Sequence, residues 1–270
     1  MKSLRFSLIV ISIFSISVLF TSCKKDEVAP GPGTLTLHFD NVAGDADLQM
    51  NTANTPYVNS KGEAFKITWL TYYISNVKVK RSDGTVFTDE IKSDGSAGYY
   101  LIDETDAESQ DIVLKNVPAG DYTEVTFTVG VDASQVNQGA QTGALDPAKG
   151  LFWSWNTGYI FFAVEGVSPV STQTDNVFQY HVGGYKEDAS SSIAANNVKT
   201  LTLGFNGDSA PVKVGHEPEV HLIMDIKKFF NGPGVALTFA TNASRHTPKA
   251  CVDLAGNISK AFTVDHVHAN

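Results

Sequence analysis

The seven histidines of this chain are the residues best suited to chemistry, because neutral imidazole binds copper, zinc, iron and nickel. His266 and His268 stand two residues apart near the C-terminus. In an extended strand both side chains would lie on one face, about 7 Å apart, where they could share a metal ion with a further ligand. The same spacing also fits two solvated side chains, so the pair alone leaves both interpretations open.

Three more histidines fall within segments where apolar and polar residues alternate. His181 lies between Tyr180 and Val182, which we expect to face the core, so its side chain should point to the opposite face. The same pattern applies to His221 and His38. Each of these histidines, taken alone, also fits a solvated or structurally hydrogen-bonded side chain.

Aromatic residues are densest between positions 152 and 162, and they are more numerous there than one strand face can bury. Trp153 and Trp155 would point to the same side of a strand. Three interpretations remain open for this segment: a corner of the core, a redox-accessible indole, or a platform on which sugar rings stack.

Signatures of catalysis are missing from the sequence. It contains no phosphate-binding loop, no Gly-x-Ser-x-Gly turn and no His-Glu-x-x-His motif, and Cys251 has no nucleophile signature around it. We therefore predict that the protein is not an enzyme. Its net charge of −9 also argues against the basic surface that nucleic-acid binding requires.

Strands must position these side chains, because alternation with a period of two dominates from Thr34 onward. The alternating segments are 35–39, 125–131, 160–164, 178–182, 201–205 and 220–226. We predict an all-β fold, an antiparallel β-sandwich of immunoglobulin-like or Greek-key type, with one or two short helical turns near 224–230 and between 248 and 260. No composition break divides residues 34–270, so we assign them to one domain.

Residues 1–22 resemble a lipoprotein signal peptide. Lys2 and Arg5 precede an apolar run that is too short for an ordinary membrane span. The sequence Phe-Thr-Ser-Cys at 20–23 resembles a bacterial lipobox, so we expect Cys23 to be lipidated; a plain secretory peptide is the alternative. Residues 23–33 carry charge, Pro and Gly and predict a flexible tether. With Cys23 lipidated, Cys251 should remain a buried or half-buried free thiol.

Several segments together resemble the MbnP-like family, the methanobactin-associated copper-binding proteins. The matching segments are 70–77, 129–132, 139–147, 152–159, 180–184 and 262–268. They span the chain from about Leu35 to His268, and their order is more specific than any one of them. The charged run at 24–27 resembles the export signal of Bacteroidetes lipoproteins, so the chain is similar to a Bacteroidetes lipoprotein member of the family.

The resemblance implies a β-sandwich that binds copper in the periplasm or at the cell surface. The lipobox and the charged run after it predict that this chain is anchored by its lipid in the outer membrane. The resemblance also implies a partner, a di-haem cytochrome c peroxidase-like protein of the MbnH/MauG type, which oxidises a tryptophan of its client to kynurenine. Carried over to this sequence, the candidate tryptophan is Trp155, preferred over Trp153, and the candidate copper ligand is His181. We add His266 and His268 from the closing motif.

The sequence therefore predicts a non-enzymatic, copper-binding lipoprotein of the outer membrane that binds, stores or delivers metal. Asp265 and Asp132 are the nearest candidates to orient the ligand rings. No histidine stands close to the tryptophans in the sequence, which departs from some copper-binding relatives. The alternative function is a surface-exposed module without metal that binds carbohydrate or protein.

Overall fold

The computed structural model describes residues 31–269 of the chain. The predicted signal peptide, the lipidation site Cys23 and the tether up to residue 30 lie outside the described residues, so these expectations stay predictions. Within the described range, no helix is both long and apolar enough to cross a membrane.

Strands make up most of the described structure. In chain order they are β1 Gly33–Val42, β2 Tyr57–Val58, β3 Ala64–Arg81, β4 Val86–Thr88, β5 Tyr99–Asp103, β6 Asp111–Val117, β7 Gly120–Val129, β8 Phe152–Ser154, β9 Gly158–Val167, β10 Val177–Gly183, β11 Lys199–Gly204, β12 Ala210–Val212, β13 Glu219–Asp225, β14 Ser244–Arg245 and β15 Phe262–His268. The α-helices are α1 Ala133–Val136, α2 Ile226–Phe230 and α3 Val252–Ala261. Short 3-10 turns occupy Ala107–Gln110, Gly143–Leu145, Pro147–Lys149, Thr174–Asn176 and Lys249–Cys251.

The all-β prediction is confirmed in the coarser form of a mostly-β fold. The helices α2 and α3 lie where short helical turns were expected, and α1 was not expected. The strands form a four-stranded sheet, in the order β15–β13–β1–β6, and an eleven-stranded sheet around the long strand β3. The larger sheet curls into a half-barrel, and β1 pairs with β13 in parallel.

The structure is therefore not a clear immunoglobulin-like sandwich, although most of its strand pairs are antiparallel, as expected. Besides β1–β13, the pair β10–β14 is parallel. Alternation indicates which face of a strand is buried, but it does not identify the neighbouring strand or its direction. Parallel neighbours also require long connections, which leave no local signal in the sequence.

One core lies against the inner faces of both sheets. On β1, Leu37 and Phe39 are fully buried, and the ring of Phe39 packs edge-on against Phe127 of β7 with centroids 5.6 Å apart. The intervening residues, His38 and Asp40, are only partly buried. The inward apolar face therefore fixes which side chains each strand presents on its outer face.

Candidate metal centres

Four histidines lie on the outer face of the four-stranded sheet. We call them the outer-face cluster: His38, His221, His266 and His268. His38 on β1 pairs in register with His221 on β13, and His268 on β15 pairs with Glu219. Strand alternation explains the first pair, because the flanking apolar residues on both strands are buried.

A β-bulge in β15 brings the other two histidines to this face. The register between β13 and β15 shifts between the Leu222–Val264 pair and the Val220–Val267 pair. Val264 and Val267 both pack against the core although they are an odd number of positions apart. Without the shift, alternation would place the two histidines on the buried face of Val264. The bulge re-aims their side chains, which is a common use of this irregularity.

The imidazoles of the outer-face cluster are close enough to share an ion. Nε2 of His266 and Nε2 of His268 lie 3.0 Å apart. The ring of His266 stacks on that of His221, with a centroid distance of 4.4 Å and an interplanar angle of 13°. One ligand atom from each of these three histidines lies within 4.8 Å of the others, and the same holds for His38, Asp40 and His221. Both groups could therefore hold a metal ion.

Carboxylates hold two of these rings through Nδ1. Nδ1 of His266 lies 2.8 Å from Asp265, and Nδ1 of His221 lies 2.9 Å from Asp40. Nε2 of His221 is buried and forms no hydrogen bond, but it lies 2.6 Å from a carboxylate oxygen of Glu219. The Nε2 atoms of these two rings therefore face away from the aspartates, toward Glu219 for His221 and toward His268 for His266.

His38 is held more tightly than the other three. Its Nδ1 lies 2.6 Å from Asp111 and its Nε2 lies 3.1 Å from Asp40. Burial lowers the pKa of His38, but the hydrogen bond with Asp111 and the charge of Asp40 outweigh burial, so the pKa is raised. His38 therefore lies at the edge of the cluster, in ion-pair contact with Asp40 and Asp111.

The two aspartates expected to orient ligand rings differ in role. Asp265 contacts His266, as expected. Asp132 instead caps α1 and accepts hydrogen bonds from Asn76 and Tyr99. Burial raises the pKa of Asp132, but its hydrogen bonds outweigh burial and lower it. Asp132 is a structural residue.

The larger sheet carries a second imidazole site, the His181–His246 pair. The two Nδ1 atoms lie 3.1 Å apart. His181 on β10 points away from the buried face of its strand, as expected, and His246 directly follows β14, the parallel neighbour of β10. Nε2 of His181 lies 2.8 Å from Glu165 of β9, so its Nδ1 faces His246. The ring of Trp69 meets His181 edge-on at a centroid distance of 5.9 Å.

The surroundings of this pair favour neutral imidazole and a protonated thiol. Burial and the neighbouring His181 lower the pKa of His246, which keeps its ring neutral and able to bind a metal. Cys251 is a buried free thiol, as expected, and its Sγ donates to the carbonyl oxygen of His181 at 3.4 Å. Burial raises the pKa of Cys251 to about 12, so the thiol stays protonated at neutral pH.

The two candidate tryptophans have different surroundings. A methyl group on Gly183, two residues after His181 on the same strand, would lie 2.6 Å from Cζ3 of Trp153, so this indole packs directly on β10. Trp155 is 52% exposed and packs against Phe152 with centroids 4.8 Å apart. Of the two, Trp153 is the one that adjoins the strand of His181.

The structure brings His266 and His268 together but places His181 on the other sheet. The single site assumed from the sequence is thus divided into two. Sequence reasoning missed His246 altogether, because it lies outside any alternating segment. It also left His38 and His221 undecided; their alternation showed the outward direction, but only the strand order could show that they are neighbours.

Comparison with known proteins adds the family. The family model described as MbnP matches residues 32–251. Among solved structures, MbnP from Methylosinus trichosporium is similar, with a TM-score of 0.53 over 86% of this chain and 97% of that chain. Its 16% identity shows the shared fold alone. No curated protein matches the chain. Because the family model covers well over half of the sequence, the chain belongs to the MbnP family.

Proposed function

We propose that this protein binds copper at the His181–His246 pair and that it acts as a metal-binding protein rather than an enzyme. The observation that carries the proposal is the 3.1 Å separation of the two Nδ1 atoms. This distance is shorter than two metal–imidazole bonds of about 2.0 Å each, so both rings can reach one ion. The family is associated with methanobactin and copper handling, and both histidines lie within its matched residues.

Three features of the pair favour copper as cargo. Neutral imidazole binds copper more tightly than the other divalent metals of the first transition row. The carboxylate of Glu165 engages Nε2 of His181, which orients the ring and increases its basicity. The lowered pKa of His246 reduces competition from protons at neutral pH. Together these three features fit a site that stores or delivers copper.

We further propose that a di-haem cytochrome c peroxidase-like partner, with hydrogen peroxide as the oxidant, oxidises Trp153, rather than Trp155, to kynurenine. The C2–C3 bond of the indole breaks, and C2 leaves as formate. The contact of Trp153 with Gly183 places its indole beside the strand of His181, where a new carbonyl and amine could add to the copper ligands. Peptide mass spectrometry of protein produced with and without the partner tests this. Kynurenine at Trp155 alone, or at neither residue, would contradict it.

The export signal leads to a proposal about location. We propose that the chain is a Bacteroidetes outer-membrane lipoprotein, periplasmic or surface-exposed, held by a lipid on Cys23. The support is the lipobox-like sequence at 20–23 and the charged run that follows it. Cys23→Ala should move the protein from the membrane pellet to the soluble fraction. Unchanged membrane association would refute the anchor.

A surface-binding module without metal is the second candidate function. The exposed indole of Trp155 favours it, because aromatic faces stack on sugar rings. Copper analysis separates the two functions. The His181→Ala/His246→Ala double variant should bind copper at least tenfold more weakly at one site than wild type, whereas His216→Ala, a histidine between β12 and β13, should bind as wild type. Equal binding by all three proteins would contradict the copper proposal.

A further inference from the structure

The outer-face cluster is separate from the site proposed above. His266 and His268 follow the last residue matched by the family model. His38 and His221 join them only because β1, β13 and β15 are neighbours in the four-stranded sheet. The order of the three strands and the bulge in β15 thus place four imidazoles on one outer face. The opposite face of the same strands packs on the apolar core.

Three of these rings place their nitrogen atoms close enough together to bind one ion. His221, His266 and His268 each offer a nitrogen within 4.8 Å of the other two. Asp40 and Asp265 hold the Nδ1 atoms of His221 and His266. The Nε2 atoms of His266 and His268 share a hydrogen bond, whose proton a metal ion would displace. Nε2 of His221 is buried and forms no hydrogen bond, and the Glu219 carboxylate 2.6 Å away places an oxygen donor beside it.

The charges around the cluster also favour a cation. Four carboxylates border the four imidazoles: Asp40, Asp111, Glu219 and Asp265. Each lies in ion-pair distance of a histidine, and within residues 31–269 none of them forms an ion pair with lysine or arginine. When the imidazoles are neutral, the site therefore carries an excess of negative charge, which raises its attraction for a cation.

We propose that His221, His266 and His268 bind a second transition-metal ion, with Asp40 and Glu219 adjacent to it. The donors are nitrogen and oxygen, without sulfur, so the site suits a divalent ion, and copper(II) stands highest in the affinity order for such donors. Asp265 and Asp40 act as positioning residues through the rings they contact. The chain then holds two metal centres, one on each sheet.

The test uses the full-length chain in detergent and copper(II) as the probe. The variant is His266→Gln/His268→Gln, and the matched control is His216→Gln. The double variant should bind one copper ion fewer per chain than wild type, or bind that ion at least tenfold more weakly. In the His181→Ala/His246→Ala background, which keeps only the cluster's ion, pulsed electron paramagnetic resonance should show imidazole nitrogen coupling that is lost when His266→Gln/His268→Gln is added. Unchanged stoichiometry, affinity and nitrogen coupling would overturn the proposal.

Two further measurements keep the result interpretable. His268→Gln alone changes only the exposed end of β15, so it tests the site if the double variant does not fold; a copper affinity equal to that of wild type would count against the proposal. The His181→Ala/His246→Ala variant should retain the ion at the outer-face cluster. Loss of that ion in this variant would instead show that the chain has a single site, made by the His181–His246 pair.

Discussion

The outer-face cluster and the His181–His246 pair assemble imidazoles in different ways. In the cluster, three neighbouring strands each present histidines on an outer face, and a bulge in β15 turns the two histidines of that strand outward. In the pair, one histidine comes from strand β10 and the other from the segment after β14. The cluster therefore depends on the register of its strands. The pair depends on the pairing of the short strand β14 with β10, which places the following residue, His246, beside His181.

Deleting Val267 should have the largest effect on the cluster. A one-residue deletion moves the following side chain to the other face of the strand, so His268 would take the inward position of Val267. We expect copper binding at the cluster to be lost while the His181–His246 pair keeps its ion. Equilibrium dialysis with copper measures both. The control is deletion of Asn270, and retention of the cluster's ion would contradict the register assigned to β15.

Substitution of Gly183 should disturb the pair without touching the cluster. A Cβ at this position would lie 2.4 Å from the carbonyl oxygen of Tyr159 and 2.6 Å from Trp153, whereas a Cβ at Gly204 of β11 meets no atom closer than 4.0 Å. Gly183→Ala should lower the free energy of unfolding by about 1–3 kcal/mol, as overpacking does. Gly204→Ala should change it by about 0.5 kcal/mol or less. Urea unfolding compares the two, and equal stability of both variants would show that β10 accommodates the methyl group.

Neutralising the carboxylate that contacts a ligand ring should weaken copper binding at that site alone, with all the proposed ligands still in place. Asp265→Asn should weaken copper binding at the cluster, and Glu165→Gln should weaken it at the pair, each by about 10- to 100-fold. The other site should be unaffected in each variant. Calorimetric titration of the two variants measures this. If both variants weaken the same site, the two imidazole groups are not independent.

The smallest expected effect concerns Glu63, which anchors the segment before β14 and His246. Its carboxylate accepts hydrogen bonds from the backbone N–H of Phe239 and from the Thr238 hydroxyl. Burial raises the pKa of Glu63, but these hydrogen bonds outweigh burial and lower it below 4.5. The stabilisation is present above the unfolded pKa and is lost as pH falls through the folded one. Glu63→Gln should therefore show a smaller loss of stability on acidification than wild type in urea unfolding at pH 6 and about pH 3; equal losses would contradict this.

The same contrast explains what the sequence could reveal. Alternation predicted the mostly-β class and the outward direction of His38, His181 and His221, because a buried strand face requires apolar residues at every second position. It also identified His266 and His268 as neighbours. The bulge that places them outside is invisible to alternation, which by itself would align them with the buried Phe262 and Val264.

The sequence alone does not predict which strands are neighbours or where the segments between them lie. The parallel pairing of β1 with β13 joins residues 181 positions apart, such as Asp40 and His221, and no local pattern specifies it. His246 lies beyond a two-residue strand and reaches His181 through tertiary packing. The single domain assigned to residues 34–270 and the lipid anchor on Cys23 remain predictions.

Copper content per chain decides whether the protein has two independent metal centres. Four proteins are loaded under the same conditions: wild type, His181→Ala/His246→Ala, His266→Gln/His268→Gln, and the variant that combines all four substitutions. We predict two ions in wild type, one in each double variant and none in the combined variant, with circular dichroism unchanged. Two ions retained in the combined variant, or both ions lost from either double variant, would contradict the presence of a separate site on each sheet.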